Sequence, residues 1–240
     1  MADTLTTANA PENKKGEALL SQWNESALVK TLCLAFGALI TIIALSWAIE
    51  LPLKLGFEWL DEQGMVACFG LTLAIVFARY PASGGKERLS IPWYDVILVF
   101  LGLGAASYLL FIYGEVELNP YEMRPKMFWV SLIFLPMTWE ALRRTAGVSL
   151  TAIFSVFVIY AFLGHLVPGE MFKGVEQEPY RLIAELGTNN ASLLGLPLKI
   201  IVLTVVLFIW MGQLLLHTGA SEWFTDLAAA MMGRSRGGSA

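Results

Sequence analysis

Charge is what this chain has least of. Asp, Glu, Lys and Arg together make up 15% of its 240 residues, against about a quarter in an ordinary soluble domain. Hydrophobic residues make up 56%, and the mean hydropathy of +0.62 excludes a water-soluble globular fold. Cysteine and histidine are equally sparse, at two each. Cys33 and Cys68 fall inside apolar runs, where thiols pack as small hydrophobes, and no spaced Cys/His set is present to hold a metal. No basic stripe runs along the chain, which excludes nucleic acid as a partner. A phosphate loop, a nucleophile elbow and a zinc signature are also missing, so an enzyme is not expected.

The chain does have long apolar runs. A run of about 18 residues with almost no charge spans a membrane, where backbone polar groups must be paired internally. The runs here are continuous and longer than barrel strands, so the expected fold is all-α: a polytopic membrane protein of about six transmembrane helices. The expected spans are 29–49, 64–78, 95–113, 127–142, 148–167 and 193–217. The second is short and needs its flanks, with Arg79 snorkelling to the interface. The fourth is interrupted by Pro136. A polar loop is expected from Pro168 to Ser192. A C-terminal amphipathic helix follows, with Ser221 as N-cap and Trp223, Phe224, Leu227, Ala228 and Met231 on one face.

Residues 1–28 are polar, carry no cleavage-site pattern, and are expected to be a cytoplasmic tail with a short interfacial helix at 17–26. Loop charge sets the orientation. With the N-terminus inside, ten of the sixteen basic residues face the cytoplasm, among them Arg79, Lys86, Arg88, Arg143 and Arg144. Lys54, Arg124, Lys126, Lys173 and Arg181 fall outside, where the loops carry eleven acids from Glu50 to Glu185.

Four residues stand out as structural or interface candidates: Glu140, Arg143, Arg144 and Lys199. Glu140 closes an apolar run, and intramembrane ionisable groups are costly. Arg143 and Arg144 lie three and four residues on, at intrahelical pairing distance, so a structural role is preferred to an ion site. Lys199 lies about 9 Å inside the sixth span. It either snorkels outward or contacts another domain or a binding protein. Asp95 opens a helix, where it complements the dipole. Asn189 and Asn190 either cap the sixth span or contact a docked protein, and capping is the simpler choice. Gly102 and Ala106, four apart with Gly104 nearby, suit close helix packing. His165 and His217 sit at expected helix ends. Trp47, Trp59, Trp93, Tyr113, Trp129 and Trp223 form an interfacial belt.

The segments Leu193 to Leu198, Phe208 to Gly212 and His217 to Ala228, with the Gly-Arg-Ser-Arg-Gly-Gly turn at 233–238, occur in an order that resembles a known transporter opening. It is similar to the start of the large membrane domain of tripartite ATP-independent periplasmic (TRAP) transporters. The Glu140-to-Gly147 segment and the Pro168-Gly169 pair resemble the fused permeases that work with TAXI-type binding proteins. The resemblance covers about residues 90–240. It implies a four-helix small-subunit-like domain at 29–145, a connecting helix and periplasmic loop at 146–192, and the start of the large permease domain at 193–240. It further implies an inner-membrane permease that takes up small organic acids delivered by a periplasmic TAXI-type protein. An Na+ or H+ gradient would drive uptake, with no cofactor. Partners would be that protein, the lipid bilayer and the remainder of the permease transport domain. In the family the Ser-Gly-rich hairpins that bind substrate and ion follow this turn, so no residue here is carried over as a ligand. The chain is expected to be an N-terminal portion that supplies mainly scaffold. The alternative is a non-transporting membrane scaffold or assembly subunit, binding partner helices through its Gly-rich third span.

Overall fold

A computed structural model of the protein describes residues 10–56, 59–82, 92–167 and 173–232, and every regular element among them is helical. The loop glycines and basic residues at 83–91, the Pro168-Gly169 pair and the turn at 233–238 lie outside the described residues. The chain is an all-α polytopic membrane protein.

Helix α1 (Ala10–Ala48) runs without a break from the polar segment into the first apolar run. The expected separate interfacial helix is therefore part of α1, because Glu17 to Ser26 contains no Pro or Gly to interrupt it. After the single turn α2 (Leu51–Lys54), helix α3 spans Asp61–Arg79. Its 19 residues rise about 28 Å, enough to make good the short span expected. Asp61 and Glu62 in its first turn and Arg79 in its last complement the helix dipole. Gln63 binds both sides of the start: its Oε1 accepts the Leu60 N–H at 3.0 Å, and its Nε2 donates to the Leu110 carbonyl at 3.0 Å.

Helices α4 (Trp93–Leu118) and α5 (Pro120–Thr145) are joined by Asn119 alone. Among the described residues, five helical segments are long and apolar enough to cross a membrane: Val29–Ala48, Asp61–Arg79, Trp93–Leu118, Val148–Leu166 and Leu196–His217. The expected fourth span, α5, is not among them, because charges near both ends leave an uncharged centre only from Met127 to Trp139. Its contacts nevertheless pair it with the whole of α4. Val116 and Met127 share a cluster, Gly102 faces Met137, and Asp95 meets Arg144. That antiparallel register makes α5 as long as α4, so it crosses wherever α4 does. Pro136 does not interrupt it, since α5 is continuous through both Pro125 and Pro136.

The core is built by α3, α4 and α5 around Phe69, Phe77, Leu109 and Phe134. Phe69 and Phe134 meet edge to face at 5.1 Å. Small residues bring the backbones together: a β-carbon on Gly70 would collide with that of Ala106, and one on Gly102 would come within 2.8 Å of Met137 Cε. Gly104 faces open space and takes no part.

Helix α6 (Val148–Leu163) follows the left-handed Gly147 (φ 82°) and exposes Ile153, Val156, Phe157 and Ile159. Where a polar loop was expected, the chain forms α7 (Pro179–Thr188), which packs on α5. Ser131 and Thr188 both donate to the Ala184 carbonyl, at 2.9 and 2.7 Å, and Tyr180 stacks on Phe128 at 4.6 Å. Tyr180, Ala184, Gly187 and Thr188 repeat at helical spacing, a signal hidden by the polar residues between them. The sixth run forms α8 (Leu196–Ile200), a π-helical turn at Ile201–Val205, and α9 (Val206–His217). Val202 in that turn packs with Ala44 of α1 and Cys68 of α3. After Gly219 (φ 74°), α10 spans Ala220–Met232. Ser221 is therefore inside the first turn and not the N-cap; the Gly219 carbonyl accepts the Trp223 N–H.

Gly70→Ala is expected to destabilise the protein by about 1–3 kcal/mol through overpacking, while Gly104→Ala is near neutral. Thermal unfolding in detergent, followed for both variants side by side, checks the difference.

Candidate functional site: charge networks at the two ends of the helix bundle

The α3–α4–α5 register collects ionisable groups at two opposite ends, called here the Arg144 end and the Asp61 end. At the Arg144 end, the finish of α5 meets the finish of α3 and the start of α4. Glu140 takes Arg143 with two hydrogen bonds, from Nε to Oε2 at 2.7 Å and from Nη2 to Oε1 at 2.8 Å. Arg144 Nε also donates to Glu140 Oε1 at 2.7 Å. The three residues chosen from spacing alone are thus one intrahelical unit.

The network reaches further than the sequence indicated. Arg144 Nη1 lies 2.8 Å from Asp95 Oδ1, with the two side chains 2% and 0% exposed. The same guanidinium donates to the Tyr80 carbonyl at 3.1 Å and lies over the Phe77 ring at 4.8 Å. Arg143 Nη2 donates to the Ala82 carbonyl at 2.7 Å. Two arginines therefore cap the carbonyl end of α3, where positive charge is favoured. Asp95 sits in the first turn of α4, favoured there by that helix's dipole. Buried charges are tolerated when paired, and Arg144 is both paired with Asp95 and hydrogen-bonded to Glu140 and the Tyr80 carbonyl.

At the Asp61 end, Lys199 neither snorkels freely nor waits for an outside partner. Its Nζ lies 2.6 Å from Asp61 Oδ2 in α3, while Trp47 Nε1 of α1 donates to Asp61 Oδ1 at 3.0 Å. One carboxylate thereby ties α1, α3 and α8 together. This pair is 40% and 46% exposed, so solvent screens it. Asn189 does not cap the sixth span. Its Oδ1 accepts the Ala191 N–H at 2.8 Å, and Gly195 precedes α8 instead. A β-carbon on Gly195 would come 2.8 Å from the Ser192 carbonyl, so the turn needs glycine. Trp47 packs beside Trp59 at 5.9 Å, but Tyr113 is buried at 5% exposure and does not belong to an interfacial belt. Among the described residues, no group of three or more His, Cys, Asp or Glu stands together to hold a metal.

Sequence reasoning missed Asp95 and Asp61 as partners. Both signals were present: alternating spans put Asp95 and Arg144 at one membrane face, and Asp61 and Lys199 at the other.

The fold and these structural charge pairs define a multi-helix membrane protein whose ionisable groups join helices. Residues 133–240, a little under half the chain, match the family described as tripartite ATP-independent periplasmic transporter, DctM component. That match supports a TRAP permease component and a transport role; the matched family is one of transporters, not enzymes. No curated protein and no solved structure matches the chain. The match begins inside α5 and takes in Glu140, Arg143, Arg144 and Lys199, whose partners Asp95 and Asp61 precede it.

Removing one member of a buried pair leaves the other charge uncompensated. Arg144→Ala is therefore expected to cost about 3–5 kcal/mol, and Arg143→Ala distinctly less, as seen in the folded fraction recovered from membranes. Adding Asp95→Ala to Arg144→Ala is expected to recover part of the loss. At the other end, Asp61→Asn and Lys199→Met are each expected to shift stability by less than about 1 kcal/mol. A double-mutant cycle on the purified protein measures that coupling.

Proposed function

We propose that this chain is the membrane permease component of a TRAP-type secondary transporter of the cell inner membrane. It takes up small organic acids delivered by a periplasmic TAXI-type binding protein. An Na+ or H+ gradient, rather than ATP, drives the transport. The observation that carries the proposal is the family match over residues 133–240. The order of the sequence motifs supports the TAXI-associated, fused type.

Within that transporter the chain supplies mainly scaffold. Residues 29–145 form the small-subunit-like domain, 146–192 the connection and periplasmic segment, and 193–240 the start of the large domain. The Lys199–Asp61 pair supports this division as a tie between the first part and the last. The N-terminus is cytoplasmic: the Arg144 end carries Arg79, Arg143 and Arg144, in keeping with the excess of basic residues on inner loops. The Asp61 end then faces the periplasm. The antiparallel register of α3, α4 and α5 supports this alternation.

The test is uptake of labelled small organic acids by cells that carry or lack the gene, with the gradients collapsed separately. Uptake is expected only with the chain, the binding protein and an inward Na+ or H+ gradient together, and the ionophore that abolishes it identifies the ion. Uptake of every acid tried that is indifferent to deletion of the chain would overturn the transport role.

A further inference from the structure

A polar pocket of about 140 Å³ opens at the Asp61 end, separate from the Lys199–Asp61 pair, and is lined in part by Glu62, Tyr113, Glu117, Thr188, Asn189 and Asn190. Its chemistry is one-sided, with two carboxylates, a phenol and two carboxamides, and no basic residue among the lining groups. Three basic residues of this end are engaged elsewhere: Lys126 with Glu115, Arg181 with Glu185, and Lys199 with Asp61.

Two further observations favour a cation at this pocket. Tyr113 is 5% exposed, with its ring in the core and its phenol within the field of Glu62 and Glu117. Its hydroxyl opens to the pocket and makes no hydrogen bond among the described residues, whereas a tyrosine hydroxyl ordinarily finds a partner. Glu117 also stands in the last turn of α4, whose carbonyl end disfavours an anion. Neither the last turn of α4 nor that of α7 contains a basic residue, and both helices finish at this pocket. Glu62 alone is accounted for, by the positive end of α3.

We propose that this pocket receives the ammonium of a lysine from the protein that docks on this face. On the transport reading, that protein is the periplasmic binding protein. An ammonium carries three donors and no acceptor, which matches a cavity rich in acceptors. With two carboxylates lining it and, among the described residues, no group of three acidic, cysteine or histidine ligands, the pocket is better suited to an organic cation than to a divalent metal. The proposal rests on the transport reading for the partner's identity, and on the pocket alone for the chemistry. The Glu62 and Glu117 carboxylates fix the ammonium, the Tyr113 hydroxyl takes one of its hydrogens, and the face of α7 beside Asn189 and Asn190 forms the rim.

A carbodiimide joins carboxylates only to amines in direct contact, so it tests the contact without a spacer. Cells expressing the full chain and the binding protein are treated, and peptides containing Glu62 or Glu117 are sequenced by mass spectrometry. The expected result is an amide bond between one of these glutamates and a lysine of the binding protein. Binding-protein affinity for the chain in nanodiscs is expected to fall at least about tenfold in Glu62→Gln/Glu117→Gln, and severalfold in Tyr113→Phe, which keeps the packed ring. Adducts only to an aminophospholipid, adducts only to lysines of this chain, or no adduct with unchanged affinity would each overturn the proposal. Uptake measured in the same cells separates the two readings. Wild-type uptake without the adduct sinks the pocket and leaves the transporter standing, whereas uptake indifferent to the chain sinks the transporter whatever the adducts.

Discussion

The pair between Asp95 and Arg144 is the constraint on which the rest of the bundle depends. Both charges are removed from water, so each makes the other tolerable. Around that contact the finish of α3, the start of α4 and the finish of α5 are fixed to one point. Arg144 also engages Glu140 and the Tyr80 carbonyl, so its guanidinium satisfies three helices at once. From this fixed point the Gly70–Ala106 and Gly102–Met137 contacts follow along the same register. A one-residue shift of either neighbour would uncouple the charges and wedge the small-residue seam open.

The two ends of the bundle are electrostatically unlike. The Arg144 end is closed: its charges are paired, and Asp95 and Arg144 at its centre are dry. The Asp61 end is open, its lysine–aspartate pair is half exposed, and acidic groups outnumber their basic partners. Interactions at the first end hold helices together with little regard to salt. Those at the second are screened within about 10 Å at moderate ionic strength, which suits contacts that form and break. On the proposed transport reading, such a difference suits a scaffold that keeps its own helices fixed while meeting a soluble protein.

Much of this was legible in the residues. The apolar runs located the helices because lipid leaves the backbone few alternatives. Glu140, Arg143 and Arg144 were recognisable as a unit from their spacing, since pairing at three and four residues is a local property of a helix. Asp95 was not, because its partner lies 49 positions away and only the packed register shows the contact. The helix at 179–188 was read as loop because its charged residues, Arg181 and Glu185, mask a narrow buried face. The polar pocket was invisible for the same reason as Asp95: its residues come from four helices and a loop, and no single stretch carries the pattern.

The separation of Asp95 and Arg144 along the chain also affects biogenesis. At ordinary translation rates, the interval between synthesis of the carboxylate and synthesis of its guanidinium is about 2–10 s. Throughout that interval α3 and α4 exist without the residue that neutralises them. The complete charge network can therefore form only after α5 has been made, however early α3 and α4 find each other.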